Sequence, residues 1–522
     1  MSFISQTKTK RLLSVHGWSG ALLGIVLYVV IFTGTVVVFE DEIETWSRGA
    51  LVQSDGIGTR VDHHFRTAAR QVDRRYYEEV SIFRPDAGHF QFLFHRHEID
   101  ETGQFLEPTV RLKVDAVTGE VLERWDGLRP DLPEDTASAL RDFWVDLHVQ
   151  LYLPNPYGAI LVGVLGLVMM FAAVSGILIH KHLVRDVFLS PRTNARLVGA
   201  RDMHVLAGSW GLPFAFVLAF TGAFFSLALT VGIPVMSSVA FDGDRQAMFQ
   251  TLIGQPEDPD LTQAPLAALD FVVADARART GADVTSIQIT NYDSKGAEIL
   301  VNMRPAPGRI APQKLVFDGP TRRFEGVKPR IGQEPSAGAS LFDLIGPLHF
   351  GDFAGMLSKT VWFGMGLAMA YVTATGMLLW TKRRENQPLW RGLRRWIVVV
   401  IWGVPFTMLM SAVFYFIALP AGDPGWWTPF GFFTSAALVL ALGLRGAGVE
   451  TRLRLANALV CMALPILRLL TGGASWSGAL LAGIPVIIAV DVLFVLTGLC
   501  LLREHRRSAR DCALSRTQEA AE

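Results

Sequence analysis

Cysteine is nearly absent. Three occur in 522 residues, Cys461 and Cys500 inside apolar segments and Cys512 in a basic tail, so no disulfide framework is implied. No Cys-x-x-Cys-His motif is present, which excludes covalently attached c-type haem. Charge is scarce as well. Only 18% of the residues are charged, against roughly 25% in soluble domains, while half are apolar. A soluble chain of this length needs more charged surface, so the composition points to the lipid bilayer as a partner. Basic and acidic residues each number 48, and a zero balance gives no reason to expect nucleic acid. No glycine-rich phosphate loop follows a strand, and no segment on the side expected to be cytoplasmic is large enough for a flavin or nicotinamide.

Long apolar runs, by contrast, are abundant. Crossing a hydrocarbon core of about 30 Å takes about 20 predominantly apolar residues. Such windows fall at 17–39, 157–179, 205–231, 361–380, 396–419, 430–444, 455–470 and 478–502. The first follows Lys8, Lys10 and Arg11 and so resembles a secretory signal. It is too long for one and lacks a small-residue cleavage site, so it is expected to stay as a membrane helix. The fold class expected is a membrane all-α helical bundle of about eight transmembrane helices with two outer α+β domains.

Orientation follows the short loops. Lys181, Arg185, Arg192, Arg196 and Arg201 separate spans two and three, and Lys382, Arg383, Arg384, Arg391, Arg394 and Arg395 separate four and five. Arg445, Arg452 and Arg454 lie between six and seven, and Arg503, Arg506, Arg507 and Arg510 follow span eight. Every second connection is basic, which predicts a bacterial inner-membrane protein with both termini cytoplasmic. The organisation reads as a first membrane helix over 1–39, a periplasmic domain over 40–155, and two helices with a basic loop over 156–233. A second periplasmic domain covers 234–357, a fourth helix 358–384, a C-terminal four-helix membrane region 385–502, and a cytoplasmic tail 503–522. Strand alternation at 89–95 and a strand–turn–strand pattern around Thr118-Gly119 mark the first outer domain. The second shows a helical stretch over 266–280 followed by strands.

The first and second parts of the chain repeat. His16 precedes Thr33-Gly34 as His204 precedes Thr221-Gly222, and each histidine has a glycine four residues on, Gly20 and Gly208. Leu147-His148 leads to Gly176 and His180 as Leu348-His349 leads to Gly376 and Trp380. Residues 1–182 thus resemble 200–384. Of the 12 histidines, five sit at span ends within this repeat, and spans five to eight contain none. The predicted topology puts His16, His180 and His204 at the cytoplasmic end and His148 and His349 at the periplasmic end. An imidazole near acyl chains costs free energy unless it has a partner. Haem iron accepts one axial imidazole from each face, and repeat-related helices can each supply one. Gly20 and Gly208, one turn inward, would leave room for a macrocycle edge.

Thr-Gly inside spans one and three, Leu-His before spans two and four, and Val114-Asp-Ala-Val-Thr-Gly-Glu-Val121 resemble the PepSY-associated transmembrane family over residues 1 to about 384. Its members include inner-membrane proteins linked to siderophore iron uptake, some of them di-haem ferric-siderophore reductases. The resemblance implies two b-type haems, a cytoplasmic-side one held by His16 and His204 and a periplasmic-side one held by His148 and His349. His180, whose repeat partner is Trp380, is a further candidate on the cytoplasmic side. It also implies a cytoplasmic electron donor or membrane quinol, and a ferric siderophore as the periplasmic acceptor. The second outer domain keeps only the degenerate Val316-Phe-Asp318-Gly-Pro-Thr321, and spans five to eight fall outside the resemblance.

Three other features stand apart from it. His95 and His97 share a strand face and are candidates for metal binding with His89. Asp115 is expected to form a turn. Asp491 lies mid-span in the eighth apolar run, where an unpaired carboxylate is expensive. A proton or substrate role and a buried hydrogen bond to a neighbouring helix are both open, and Arg468, near the outer end of span seven, can snorkel outward instead of pairing with it. The alternative to a haem oxidoreductase is a non-redox transporter or regulatory protein whose outer domains bind a peptide, a peptidase or a chelate.

Overall fold

The structure is a computed structural model. It describes residues 5–519 except 49–55, 59, 87, 102–104, 134, 180–187, 189–190, 193–195, 245–246, 249–250, 253–258, 333 and 447. The chain divides into a helical unit, Met1–Leu51, Asp135–Ile233 and Gly355–Glu522, and a sheet unit, Val52–Glu134 and Pro234–Ala354.

Eight helices among the described residues are long and apolar enough to cross a membrane, and the protein is a multi-pass membrane protein. In chain order the helical unit contains α1 (Gln6–Val37), α2 (Glu40–Arg48), α4 (Ala139–Gln150), α5 (Tyr157–Ile179) and α6 (Arg196–Leu227). The sheet unit contributes α3 (Val61–Ala69) between α2 and α4. A π-turn at Ala228–Gly232 carries α6 into α7 (Ile233–Ala240). The sheet unit then adds α8 (Leu269–Thr280) and α9 (Ala337–Phe350). The helical unit resumes with α10 (Met356–Lys382), α11 (Pro388–Ala418), α12 (Pro424–Arg445), α13 (Val449–Leu470), α14 (Trp476–Leu481) and α15 (Val486–Glu519). The sixth and seventh spans are longer than their apolar windows because α12 starts at Pro424 and takes in Trp426 and Trp427, and α13 starts at Val449 in polar residues.

The repeat is visible as a ring of four helices: α1 packs on α5 and α10, and α6 packs on the same two. Small residues allow the close approaches, as expected where dispersion rather than hydrophobicity joins helices in lipid. A Cβ on Gly24 would meet Met377, and one on Gly366 would lie 2.5 Å from Thr35. On the other side Gly163 and Gly166 face Leu227, Ala219 and Ala223. α1 and α6 occupy opposite corners of the ring.

The remaining helices are joined to this ring rather than merely appended. α11 packs on α10, α12 and α13, and α15 packs on α13 and α2. α4, a short amphipathic helix within the stretch expected as the first outer domain, lies instead on α1, α5 and α12. Trp144 Nε1 of α4 donates to Ser411 Oγ of α11 at 2.9 Å, and Tyr415 Oη donates to the Ala137 carbonyl at 2.7 Å. Trp46, Phe143, Trp144, Tyr415 and Phe416 share one buried core with Leu464 and Ile487.

In the sheet unit the strands are β1 (Glu79–Asp86), β2 (His89–His95), β3 (Glu98–Ile99), β4 (Phe105–Leu106), β5 (Pro108–Asp115) and β6 (Val121–Leu128). From the second outer segment come β7 (Val284–Thr290), β8 (Glu298–Met303), β9 (Gln313–Asp318) and β10 (Phe324–Lys328). The two segments expected as separate domains join in one eight-stranded sheet of order β10-β9-β8-β7-β1-β2-β5-β6. The seam is the antiparallel pair β1–β7, with Ile82 opposite Ile287 and Val80 opposite Ile289. Alternation sends Phe90, Phe92, Phe94, Val110 and Leu112 to one face, against Phe65 of α3 and Val272 of α8.

Asp115 does form a turn: its Oδ1 accepts from the backbone N–H groups of Val117 and Thr118 at 2.9 and 2.7 Å, with Gly119 at φ +75°. These hydrogen bonds, chiefly from Thr118, hold the Asp115 carboxyl below its ordinary range. The degenerate second copy folds the same way, Asp318 accepting from Thr321 N at 2.8 Å with Arg322 at φ +64°. The motif lost its glycine but kept its turn.

Candidate functional site

His16 of α1 and His204 of α6 sit on opposite corners of the four-helix ring. Each ring is only partly covered. Each is held by a hydroxyl from a neighbouring corner. His16 Nδ1 lies 3.0 Å from Ser175 Oγ on α5, and His204 Nδ1 lies 3.1 Å from Thr375 Oγ1 on α10. Both hydroxyls spend their own proton on a helix carbonyl: Ser175 on Ala172 at 3.1 Å, Thr375 on Tyr371 at 2.7 Å. With those protons on the carbonyls, each hydroxyl accepts and Nδ1 is assigned the imidazole proton in both rings. Nε2 keeps its lone pair, and no hydrogen bond engages either Nε2 among the described residues.

The glycines after these hydroxyls complete the arrangement. A Cβ on Gly376 would lie 3.0 Å from His204 Cε1, and one on Gly176 would lie 3.7 Å from His16 Cε1. No side chain packs against Gly20, and only Val372 approaches Gly208, at 3.8 Å. The two positions picked for a macrocycle edge are thus ones where a Cβ would project into unclaimed space. Trp380, the repeat partner of His180, lies over Gly17 beside His16. His180 itself lies outside the described residues.

His148 stands near the end of α4, which closes at Leu151 with φ +55°. Its Nδ1 is 3.0 Å from the Val30 carbonyl. A carbonyl only accepts, so this ring also carries its proton on Nδ1. Its Cε1 would be 2.5 Å from a Cβ on Gly34, which is why glycine follows Thr33 there. His349 holds the corresponding place at the end of α9 in the sheet unit, where Gly351 at φ +69° stops the helix.

Sequence reasoning missed Ser175 and Thr375. The signal was present: each immediately precedes the repeat-matched glycine, Gly176 or Gly376. A serine and a threonine inside apolar runs read as ordinary helix hydroxyls until the histidines are placed opposite them.

Asp491 corrects two expectations. The eighth span begins at Val486 rather than 478, because the preceding apolar stretch forms the separate short helix α14 and a turn, so Asp491 falls in its second turn. Arg468 does not snorkel; both side chains are fully buried. Arg468 Nη2 and Nε donate to Asp491 at 2.6 and 3.2 Å, and the indoles of Trp46 and Trp476 each donate at 2.8 Å. All four lone-pair positions of the carboxylate are engaged.

In the sheet unit, His95 and His97 come together, but not with His89. That residue pairs with Asp115 at the opposite end of β2, about 20 Å away at 3.3 Å per residue. Glu79 takes its place, directly across from His95 on β1. The Glu78 carboxylate accepts from His97 twice, from ring Nδ1 at 2.7 Å and from the backbone N–H at 2.9 Å. Burial works to raise the Glu78 carboxyl, yet the bonds from His97 hold it below the ordinary value.

Compared with known proteins, the profile of the PepSY-associated TM region matches residues 13–383, the stretch that contains the four-helix ring and the whole sheet unit. An uncharacterized protein of Pseudomonas aeruginosa is 27% identical over 263 residues, which is 47% of this chain. The match spans 64% of that relative, less than two-thirds of its length.

Proposed function

Since this chain belongs to the PepSY-associated TM family, we propose that it is a b-type haem oxidoreductase of the bacterial inner membrane, passing electrons to a ferric siderophore in the periplasm. The carrying observation is the pair of matched dyads, His16–Ser175 and His204–Thr375. Repeat-related helices present two imidazoles in the same tautomer, each with Nδ1–H bonded and Nε2 free. That is the state a metal-ligating histidine needs, with its second nitrogen fixed by an outer acceptor.

His16 and His204 would hold the haem on the cytoplasmic side. His148 and His349, the pair the family resemblance implies, would hold the second. Bound haem iron supplies reversible one-electron transfer, its potential set by axial ligands and surroundings. The protein's own part is to fix the ligand rings through Ser175, Thr375 and the Val30 carbonyl, and to line the path with apolar side chains that exclude water. Electrons would enter from a cytoplasmic donor or a membrane quinol. On the outer side, reduction of chelated Fe(III) to Fe(II) weakens its bonds to hard oxygen ligands and frees the metal.

A transporter would use Asp491 as its acidic centre. With Arg468, Trp46 and Trp476 occupying its lone pairs, Asp491 has no capacity left for a passing proton or solute, and the redox reading is preferred. The test is anaerobic. Dithionite-reduced protein mixed with a ferric hydroxamate should reoxidise while Fe(II) accumulates on a ferrous-specific chelator. A reduced spectrum that persists unchanged in excess ferric chelate removes the proposed acceptor.

A further inference from the structure

The proposed electron path does not use the histidine cluster of the sheet unit. His95 is 1% exposed, and its Nε2 is 3.4 Å from Glu79 Oε1. His97 presents Nδ1 to Glu78, so its proton lies there and Nε2 is turned to the other side, 3.6 Å from Glu107 Oε1. One ligand atom from each of Glu79, His95 and His97 lies within 4.8 Å of the other two. Among the described residues no other three histidine, cysteine or acidic side chains come so close.

We propose that Glu79, His95 and His97 bind a divalent first-row transition-metal ion, with Glu107 completing the ligand set and Glu78 orienting His97. Two imidazoles and a carboxylate suit such ions, whereas magnesium and calcium take oxygen ligands. Metal–ligand bonds of about 2.1 Å place neighbouring tetrahedral ligand atoms about 3.4 Å apart. The His95–Glu79 and His97–Glu107 separations, 3.4 and 3.6 Å, already match that edge. Only the closure between these two pairs remains to be made. The bond from His97 to Glu78 supplies the carboxylate–histidine support that metal-ligating imidazoles usually have.

Charge favours a cation here. Three carboxylates, Glu78, Glu79 and Glu107, lie against the two imidazoles, and Arg129 Nη1 is 3.4 Å from His95 Nε2 with its Nε 3.7 Å from Glu107. Gln288 donates a further hydrogen bond to Glu79. Arg129 is 41% exposed along its side chain, so it can turn outward as a metal enters. The site is independent of the haem assignment.

Untagged full-length protein in detergent, loaded as purified, is titrated with Zn2+ by calorimetry. Wild type should take up one Zn2+ per chain. His97→Ala and Glu79→Gln should each weaken that binding at least 100-fold, Glu78→Gln roughly 10–100-fold, and His89→Ala not at all. His97 is a partly exposed residue between β2 and β3, so its variant should fold, and a metal-free melting curve within a few degrees of wild type confirms it. Should Glu79→Gln fail to fold, His97→Ala decides alone. Absence of stoichiometric uptake by wild type, or uptake unchanged in His97→Ala, overturns the proposal.

Discussion

A helix hydroxyl can determine what an imidazole is able to do. Ser175 and Thr375 give their protons to their own helix carbonyls and so are left as acceptors, and that fixes Nδ1–H on His16 and His204. Replacing either with valine or alanine removes the acceptor while leaving the helix intact. Ser175→Ala and Thr375→Val are expected to lower haem retention on the cytoplasmic side roughly 10–100-fold, the usual effect of losing an outer-shell partner. Haem per chain after dialysis against apomyoglobin measures it; full retention in both would show that the dyads do not orient ligands. Gly34→Val tests the other end. Its Cβ would stand 2.5 Å from His148 Cε1, so the ring must move, and the expected result is loss of one haem per chain with the other kept. The histidines were legible in the sequence because they repeat in register with glycine. Their hydroxyl partners were not, since serine and threonine are common in membrane helices for reasons of their own.

Between elements, the buried quartet Asp491, Arg468, Trp46 and Trp476 links α15 and α13 to α2 and α14. A paired buried charge contributes little net stability, but removing one partner strands the other and costs about 3–5 kcal/mol. Asp491→Leu and Arg468→Leu should each lower the thermal midpoint in detergent sharply, and the double variant should recover most of the loss. A double variant no better than the singles would mean that the tryptophans or the backbone, rather than the ion pair, dominate. The sequence showed the carboxylate and offered Arg468 as a partner, but not which way the guanidinium turns. Helical spacing locates Arg468 near a span end, and only the fold of α13 against α15 shows that it turns inward. Register sets a similar limit in the sheet. His95 and His97 were readable as neighbours along one strand, whereas Glu79 faces His95 only because β1 and β2 pair with those two residues opposite. The alternation pattern said nothing about which strand would lie beside which.

For the whole molecule, the C-terminal helices α11–α15 gain a role from what they touch. They hold α4 through Trp144–Ser411 and Tyr415–Ala137, and α4 carries His148. A chain ended after residue 387 retains every candidate haem ligand but loses this support. It is expected to keep the cytoplasmic-side haem and lose the periplasmic-side one, read as half the haem per chain; full haem content would show that α4 is held by α1 and α5 alone. Eight spans, the repeat and the two α+β segments were all legible from hydropathy and motif spacing. Their joining into one sheet was not, because edge strands carry no sequence mark of the partner they will meet.

The most direct test of the account is the reduced-minus-oxidised visible spectrum of the purified full-length protein, with haem quantified per chain. The account predicts two b-type haems. One should be lost in either His16→Ala or His204→Ala, and the other in either His148→Ala or His349→Ala. A protein that stays colourless when haem is supplied during expression, or that keeps both haems in all four variants, would contradict it.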